Sequence, residues 1–261
     1  MHRVEVVVDG ASHEEPMRKP PVWLRKLILS QLDRAGYRLE RTDLNLDPFF
    51  ERRLERLLAR KGSLSFVQIG ANDGVSFDPM NPFVQRHRDR VSGIVVEPLR
   101  DKFELLCRTY EGFPRIHKVN AAIHNTERRM TLHRVDPKLE RRLPTWARGI
   151  ASFDPQHHAR SGTQARHMIA EEVACMTLPE LLASVPGFEL DVLVTDTEGY
   201  DAEILGAIDF TQVRPSLIHF EHGLPAGTMT PEALDALGDR LHDAGYSLHV
   251  LYADAVAFRR D

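Results

Sequence analysis

The stretch Phe66-Val67-Gln68-Ile69-Gly70-Ala71-Asn72-Asp73-Gly74 decides the fold. Its first half is mostly apolar and two glycines follow, which predicts a buried strand that breaks into a loop before a helix. Glycine has no Cβ, so the backbone can bend sharply there and approach a ligand closely. Open α/β sheets bind ligands at the carboxyl ends of their strands. We therefore expect a binding site at this loop.

A second apolar strand ends at Val95-Val96-Glu97-Pro98, and Glu97 lies 23 positions after Gly74. A carboxylate about 20 residues beyond a glycine turn can accept hydrogen bonds from ribose hydroxyls. The pair of features predicts a nucleoside-cofactor site. Asn72 stands where the dinucleotide pattern G-x-G-x-x-G has its second glycine, which disfavours a nicotinamide dehydrogenase.

Two later segments complete a family resemblance that covers about residues 64–260. They are Asp191-Val192-Leu193-Val194-Thr195-Asp196-Thr197-Glu198-Gly199-Tyr200-Asp201 and Ile218-His219-Phe220-Glu221-His222. Together with the glycine stretch they resemble the FkbM family of class I S-adenosylmethionine (AdoMet) methyltransferases. The resemblance implies an α/β fold with a Rossmann-like seven-stranded sheet, mostly parallel, that closes with an antiparallel C-terminal hairpin.

The resemblance also implies a set of contacts to AdoMet. These contacts come from four segments: the glycine loop, the end of strand two, the end of strand three and an Ala-Ser segment. Many methyltransferases carry an acidic residue at the position of Gln68, so this chain departs from the pattern there. The candidate cofactor-binding residues are Gln68, Gly70, Ala71, Asn72, Gly74, Glu97, Pro98, Asn120, Ala121, Ser152 and Asp196.

Candidate catalytic groups follow the fourth and fifth strands, whose ends lie about 4.8 Å apart in a sheet. A hydroxyl acceptor must lose a proton, and His222 has a suitable intrinsic pKa for a general base. Asp196 is the second candidate, and Glu221 lies beside them. Alternatively, Asp196, Glu198 and Glu221 could hold Mg²⁺, which would acidify the hydroxyl. Structural roles compete with both: a helix-start carboxylate for Glu198 and a backbone-bonded imidazole for His222.

Composition excludes several classes of protein. The net charge is 34 − 38 = −4 and hydrophobic residues make up 42% of the chain, which favours a globular protein over a nucleic-acid or membrane binder. The two cysteines cannot form a disulfide framework. No apolar run reaches the roughly 20 residues of a membrane span, and no signal peptide is recognisable. We expect a cytoplasmic location.

Two regions flank or interrupt the predicted core. We expect residues 1–61 to form an arm and a helical extension, which could cover the sheet or form a homo-oligomer contact. We expect residues 62–261 to form the methyltransferase domain. Residues 136–170 form a basic, lid-like insertion. Such a lid suits an anionic acceptor, and a solvated loop without a ligand is the alternative. The insertion's basic residues, counted from the preceding strand, are Arg134, Lys138, Arg141, Arg142, Arg148, Arg160 and Arg166.

The leading functional hypothesis is an AdoMet-dependent O-methyltransferase that acts on a hydroxyl of a small molecule, sugar or glycan. Two alternatives remain open. One is N-methylation at the same site. The other is a methyltransferase-like domain that binds without catalysis, against which Glu97, Asp196 and Glu198 argue.

Overall fold

A computed structural model describes residues 48–143, 149–160 and 163–260. The helix predicted over residues 22–37 and the arm before it lie outside these ranges. Within them, no helix combines the length and the hydropathy that crossing a bilayer would require.

Seven strands form the central sheet, in the order β10-β11-β9-β8-β1-β2-β3. All neighbours in it are parallel except the pairs that involve β11, which runs antiparallel to both β9 and β10. The predicted sheet and its closing hairpin are thus confirmed. The strands are β1 (Leu64–Ile69), β2 (Val91–Val96), β3 (Ile116–Val119), β8 (Val192–Thr195), β9 (Leu217–Glu221), β10 (Tyr246–Val250) and β11 (Asp254–Arg259).

Helices cover both faces of this sheet, because its inner strands are apolar on both sides and must be buried twice. One face packs on α1 (Pro48–Lys61), α2 (Asn81–Arg86) and α3 (Arg100–Thr109). The other packs on α5 (Leu178–Ala183), α6 (Asp201–Gly206) and α7 (Pro231–Asp243). Thr177 and Thr230 cap α5 and α7 by accepting a backbone N–H.

A second, four-stranded sheet has the order β4-β7-β5-β6. Its strands are β4 (Ala122–Ile123), β5 (Arg129–Val135), β6 (Ala151–Ser152) and β7 (Met168–Met176), with the short helix α4 (His157–Arg160) between β6 and β7. The strand predicted over 130–135 is therefore present as β5. The predicted insertion over 136–170 contains β6, α4 and the start of β7, so part of it is built into a sheet.

The turn after β1 depends on the missing side chain of Gly70. Its φ is +81°, and a Cβ at this position would lie 1.8 Å from the carbonyl oxygen of Asp196. The N–H groups of Gly70 and Ala71 both donate to the carbonyl of Val96, at 3.0 Å. The tips of β1, β2 and β8 are thereby held together at one edge of the sheet.

Gly70→Ala should destabilise the protein more than Gly112→Ala does. Gly112 also has positive φ (+77°), but a Cβ there would meet nothing within 4 Å. Both variants pay for the left-handed conformation, about 1–2 kcal/mol, whereas only Gly70→Ala forces backbone apart, at an additional cost of about 1–3 kcal/mol. Urea unfolding measures the difference, and equal losses in the two variants would contradict the close approach.

Candidate functional site

The site lies at the carboxyl edge of four neighbouring strands, where β2, β1, β8 and β9 pair side by side. The loop after β1 carries Asn72, and β2 is followed by Glu97. Asp196 follows β8, and Glu221 ends β9. Chain segments that are far apart in sequence thus place an acid-rich set of side chains at one edge.

Glu97 links the tips of β1 and β2. Its Oε2 accepts the N–H of Asn72 at 2.9 Å, and its Oε1 accepts the N–H of Leu99 at 2.8 Å. The side chain is 5% exposed, and burial raises the pKa of Glu97 to about 7 against the lowering effect of those two bonds. Each carboxylate oxygen retains a second lone pair, so the group can still accept hydrogen bonds from a ligand.

The glycine loop divides into a part that faces the edge and a part that is structural. Asn72 adopts φ +47°, and its buried Oδ1 has no hydrogen-bond partner among the described residues. Ala71 is buried in the apolar core. At Gly74 a Cβ would meet Leu106 and Tyr110 of α3, so this glycine serves helix packing. Asn72 is therefore the polar group of the loop that remains available to a ligand.

Gln68, predicted as a cofactor contact, lies near the end of β1. It is 3% exposed, and its buried Oε1 has no hydrogen-bond partner among the described residues. Asp78 accepts the N–H groups of Met80 and Asn81 at 2.7 and 2.8 Å, which starts α2. Burial raises the pKa of Asp78 to about 6. The contact of Gln68 with the cofactor stays a prediction.

The remaining predicted contacts lie around the edge. The amide nitrogen of Asn120 donates to the carbonyls of Glu97 and Pro98, each at 2.9 Å, and so fixes the end of β3 to the end of β2. Ala121 is buried and Pro98 is half-buried. From the second sheet, the hydroxyl of Ser152 donates to the carbonyl of Glu198 at 2.7 Å. Ser152 therefore contacts the catalytic edge through the chain after β8.

Three carboxylates gather at the ends of β8 and β9. Asp196 is exposed at the tip of β8, and loss of hydration by its carboxylate, followed by repulsion from Glu198, raises its pKa well above the usual range. Burial and repulsion from Asp196 likewise raise the pKa of Glu221. The Oε2 of Glu221 is buried and lacks a hydrogen-bond partner in the part of the chain described here. Both groups therefore hold protons more tightly than ordinary carboxylates.

The magnesium site expected from Asp196, Glu198 and Glu221 receives no support from this geometry. No three histidine, cysteine, aspartate or glutamate side chains within residues 48–143, 149–160 and 163–260 are placed to hold a metal ion. The backbone of Glu198 has a positive φ of 53°, and its side chain is directed toward the insertion, where it meets His157.

His222, predicted as the general base, is buried directly after β9 with both ring nitrogens close to backbone atoms. The side chain is 1% exposed, its Nδ1 accepts the N–H of Leu224 at 3.1 Å, and its Nε2 lies 3.3 Å from the carbonyl of Leu251. This pattern corresponds to a neutral ring protonated on Nε2. Burial lowers the pKa of His222. The geometry favours the structural alternative, an imidazole satisfied by backbone.

Sequence reasoning missed the partner of Glu198. His157 on α4 is 2% exposed, and its Nε2 lies 3.0 Å from Oε2 of Glu198, at ion-pair distance. Nearby, Phe153 meets Tyr200 edge to face at a centroid distance of 5.2 Å. The carboxylate comes from 41 positions away, which no local pattern reveals.

Two of the arginines counted with the insertion are paired with acids in the fold. Arg134 is 2% exposed and bonds both oxygens of Asp101, at 2.6 and 2.9 Å, and one oxygen of Glu171 at 3.0 Å. Arg160 pairs with Asp154. The charged groups that raise the pKa of Asp196 are carboxylates. The expectation of an anionic acceptor gains no support from these contacts.

Comparison with known families gives one match. A family model described as the methyltransferase FkbM domain matches residues 68–248, which is more than half of the chain. Among curated proteins, none matches this sequence.

Several solved structures align with the chain at low sequence identity. The METTL16 MTase domain aligns with a TM-score of 0.45 and 13% identity over 80% of this chain, which spans 66% of that structure, just under two thirds. A human methyltransferase 10 domain containing protein aligns at 0.44 and 13% over 95% of this chain and 100% of that one. The O-methyltransferase from Bacillus cereus in complex with SAH aligns at 0.42 and 9%, over 92% and 93%.

Glu221→Gln should stabilise the ligand-free protein. The pKa of Glu221 is raised above the usual 4.5, so its ionisation costs folding free energy as the pH rises above 4.5. A neutral isostere removes this cost, and we expect a gain of about 0.5–2 kcal/mol at pH 8. The gain should vanish near pH 4, where the carboxyl is protonated in both states.

Chemical denaturation at the two pH values measures this difference. Glu111→Gln is the matched control, because Glu111 is exposed at the end of α3. A loss of stability in Glu221→Gln at pH 8 would show that the ionised carboxylate has a favourable partner.

Proposed function

The chain belongs to the family of FkbM-domain methyltransferases, and from this premise we propose that it transfers the methyl group of AdoMet to a hydroxyl of a small molecule or sugar. The AdoMet-dependent class follows from the family, whereas the acceptor and the choice of oxygen are proposals. The observation that carries them is the set of carboxylates with raised pKa values at the tips of β8 and β9.

The edge formed by β1 and β2 fits the nucleoside part of AdoMet. Glu97 has lone pairs left for two ribose hydroxyls, and the unpartnered Oδ1 of Asn72 can accept a further hydrogen bond. The loop has positive φ at Gly70 and Asn72. Because Gly70 has no side chain, the backbone there can come close to a ligand. When bound, AdoMet supplies an electrophilic methyl group.

Asp196 is the best-placed general base of this chain. It is the exposed carboxylate of the cluster, and its pKa is raised well above that of an ordinary aspartate, which makes its ionised form a stronger base. A base with such a pKa removes a hydroxyl proton more effectively, and general bases typically contribute about 10²–10⁴ in rate. His222 has both ring nitrogens engaged by backbone, so it orients the turn after β9.

One observation favours an amine acceptor as the second candidate. The groups that most affect the charge on Asp196 are Glu198, Asp201, Asp254 and Glu97, all of them carboxylates. Such surroundings would also bind a cationic amine, which Asp196 could then deprotonate. A binding module without catalysis is less consistent with a buried carboxylate such as Glu221, whose unpartnered oxygen costs stability.

The experiment that tests the proposal is methyl transfer from labelled AdoMet to a panel of sugars, small alcohols and amines. Product analysis identifies the atom that carries the label. Label on oxygen supports O-methylation, label on nitrogen selects the second candidate, and binding of AdoMet without transfer to any class supports the module.

Asp196→Asn should lower kcat by about 10²–10⁴ if Asp196 is the base. Binding of S-adenosylhomocysteine (AdoHcy) should change little, since the amide keeps the size of the carboxylate. Steady-state kinetics and calorimetry measure the two effects. In His222→Gln, which retains a hydrogen-bonding side chain, we expect most of the activity to persist. The reverse pattern would assign the base to His222.

Glu97→Gln should weaken AdoHcy binding by about 1.5–3 kcal/mol at pH 8, the range for hydrogen bonds to a charged group. The amide nitrogen cannot accept hydrogen bonds, so one ribose contact is lost. Isothermal titration calorimetry gives the affinity. The matched control is Glu104→Gln, since Glu104 is paired with Arg100 on the outer side of α3. An unchanged affinity in Glu97→Gln would place the nucleoside elsewhere.

A further inference from the structure

A network of five charged side chains lies beside the candidate nucleoside site. Arg134 on β5 bonds Asp101 at 2.6 Å and Glu171 at 3.0 Å, and it lies 3.6 Å from Glu140. Lys102 on α3 bonds Glu140 at 2.8 Å. The network thus ties the start of α3 to the second sheet, next to the turn that carries Glu97.

The two cations of this network are more deeply buried than its three anions. The side chains of the two cations are 2% and 9% exposed, whereas those of Asp101, Glu171 and Glu140 are 44%, 31% and 16% exposed. Water screens the outer anions more strongly than the inner cations, because screening falls with burial. The network therefore presents its positive end to the interior, although its formal charges sum to an excess of one anion.

Glu97 is joined to the start of α3, where Asp101 and Lys102 of the network lie, because its Oε1 accepts the N–H of Leu99, the residue that precedes the helix. Arg134 from β5 and Lys102 from α3 both favour its ionised form, while burial opposes it. Lys102 has the same effect on Asp73 of the glycine loop. On the other side, Asp196 after β8 repels the charge of Glu97, and the N–H groups of Asn72 and Leu99 donate to it.

We propose that Arg134 and Lys102 are positioning residues for cofactor binding: together they hold the turn after β2 and keep Glu97 as the carboxylate that binds the ribose hydroxyls. The inference rests on the proposed function, since it assumes that the nucleoside binds at Glu97. It adds a role to two cations that touch neither the acceptor nor the methyl group.

If the two cations had only a structural role, the affinity for AdoHcy would depend on pH differently. If the cations only hold the fold, removing one should weaken AdoHcy binding equally at every pH. If they keep Glu97 ionised, the loss should be largest at low pH and should disappear once Glu97 ionises without help. The pH profile of the affinity therefore separates the two roles.

The experiment measures the Kd of AdoHcy by calorimetry for the full chain between pH 6 and pH 8.5, as the ratio of variant to wild type at each pH. The ratio cancels the ionisation of AdoHcy itself. Lys102→Met should weaken binding at pH 6 by about 10-fold for each unit by which the pKa of Glu97 rises, and the ratio should return toward one at pH 8.5. Lys102→Arg, which keeps the charge, should bind like wild type.

Glu171→Gln should change the affinity for AdoHcy in the opposite direction to Lys102→Met. Removing an outer anion leaves the cations less compensated, so AdoHcy should bind more tightly than to wild type at pH 6 and equally at pH 8.5. This variant keeps the proposal testable even if Lys102→Met does not fold. A ratio that is constant with pH in the variants that fold would overturn the proposal.

Glu97→Gln separates failure of this inference from failure of the proposed function. If Glu97→Gln weakens AdoHcy binding while the Lys102 and Glu171 variants show constant ratios, only the role of the cations is overturned. If Glu97→Gln binds like wild type, the site of the nucleoside is wrong, and this inference falls with it.

Discussion

The close approach of Gly70 to the carbonyl oxygen of Asp196 is the constraint on which the site depends. Parallel strands already bring the tips of β1 and β8 to the same edge, but a side chain on Gly70 would occupy the position of that oxygen. With the glycine in place, β1 turns away directly after Ile69. The hydrogen bond from Asn72 to Glu97 then joins this turn to the tip of β2. The proposed nucleoside edge and the proposed catalytic edge therefore share one piece of backbone.

The same edge carries an electrostatic cost. Burial raises the pKa of Glu97, and burial together with repulsion between carboxylates raises the pKa values of Asp196 and Glu221, so the ligand-free protein loses stability when they ionise. The surroundings of Glu97 and Glu221 compensate this cost to different extents. Glu97 has buried cations and backbone N–H donors close by, whereas Glu221 has an oxygen without a partner among the described residues. Under the proposed function, a ligand that is positively charged or donates hydrogen bonds supplies what Glu221 lacks.

The sequence predicted the central sheet well because its determinants are local. Buried strands such as β1 appear as short apolar runs, and Thr177 followed by Pro179 marks the start of α5. Strand β7 was missed, because apolar and polar residues do not alternate in its sequence, Met168–Met176. The family resemblance supplied most of the candidate residues, and the match over residues 68–248 confirms the family.

Side-chain pairing could not be predicted in the same way. His222 was expected to act as a base, and its ring nitrogens lie close to backbone atoms of Leu224 and Leu251. The contacts of Arg134 with Asp101 and of His157 with Glu198 join segments more than 30 residues apart. Such pairs depend on tertiary packing, so residue type and spacing show which groups are present but not which of them remain available.

A crystal structure of the protein with AdoHcy tests the central claim most directly. The account predicts that the ribose hydroxyls lie within hydrogen-bonding distance of Glu97, at the tips of β1 and β2, and that the sulfur faces Asp196. A nucleoside bound away from these tips, or a sulfur directed away from the carboxylates after β8 and β9, would contradict it.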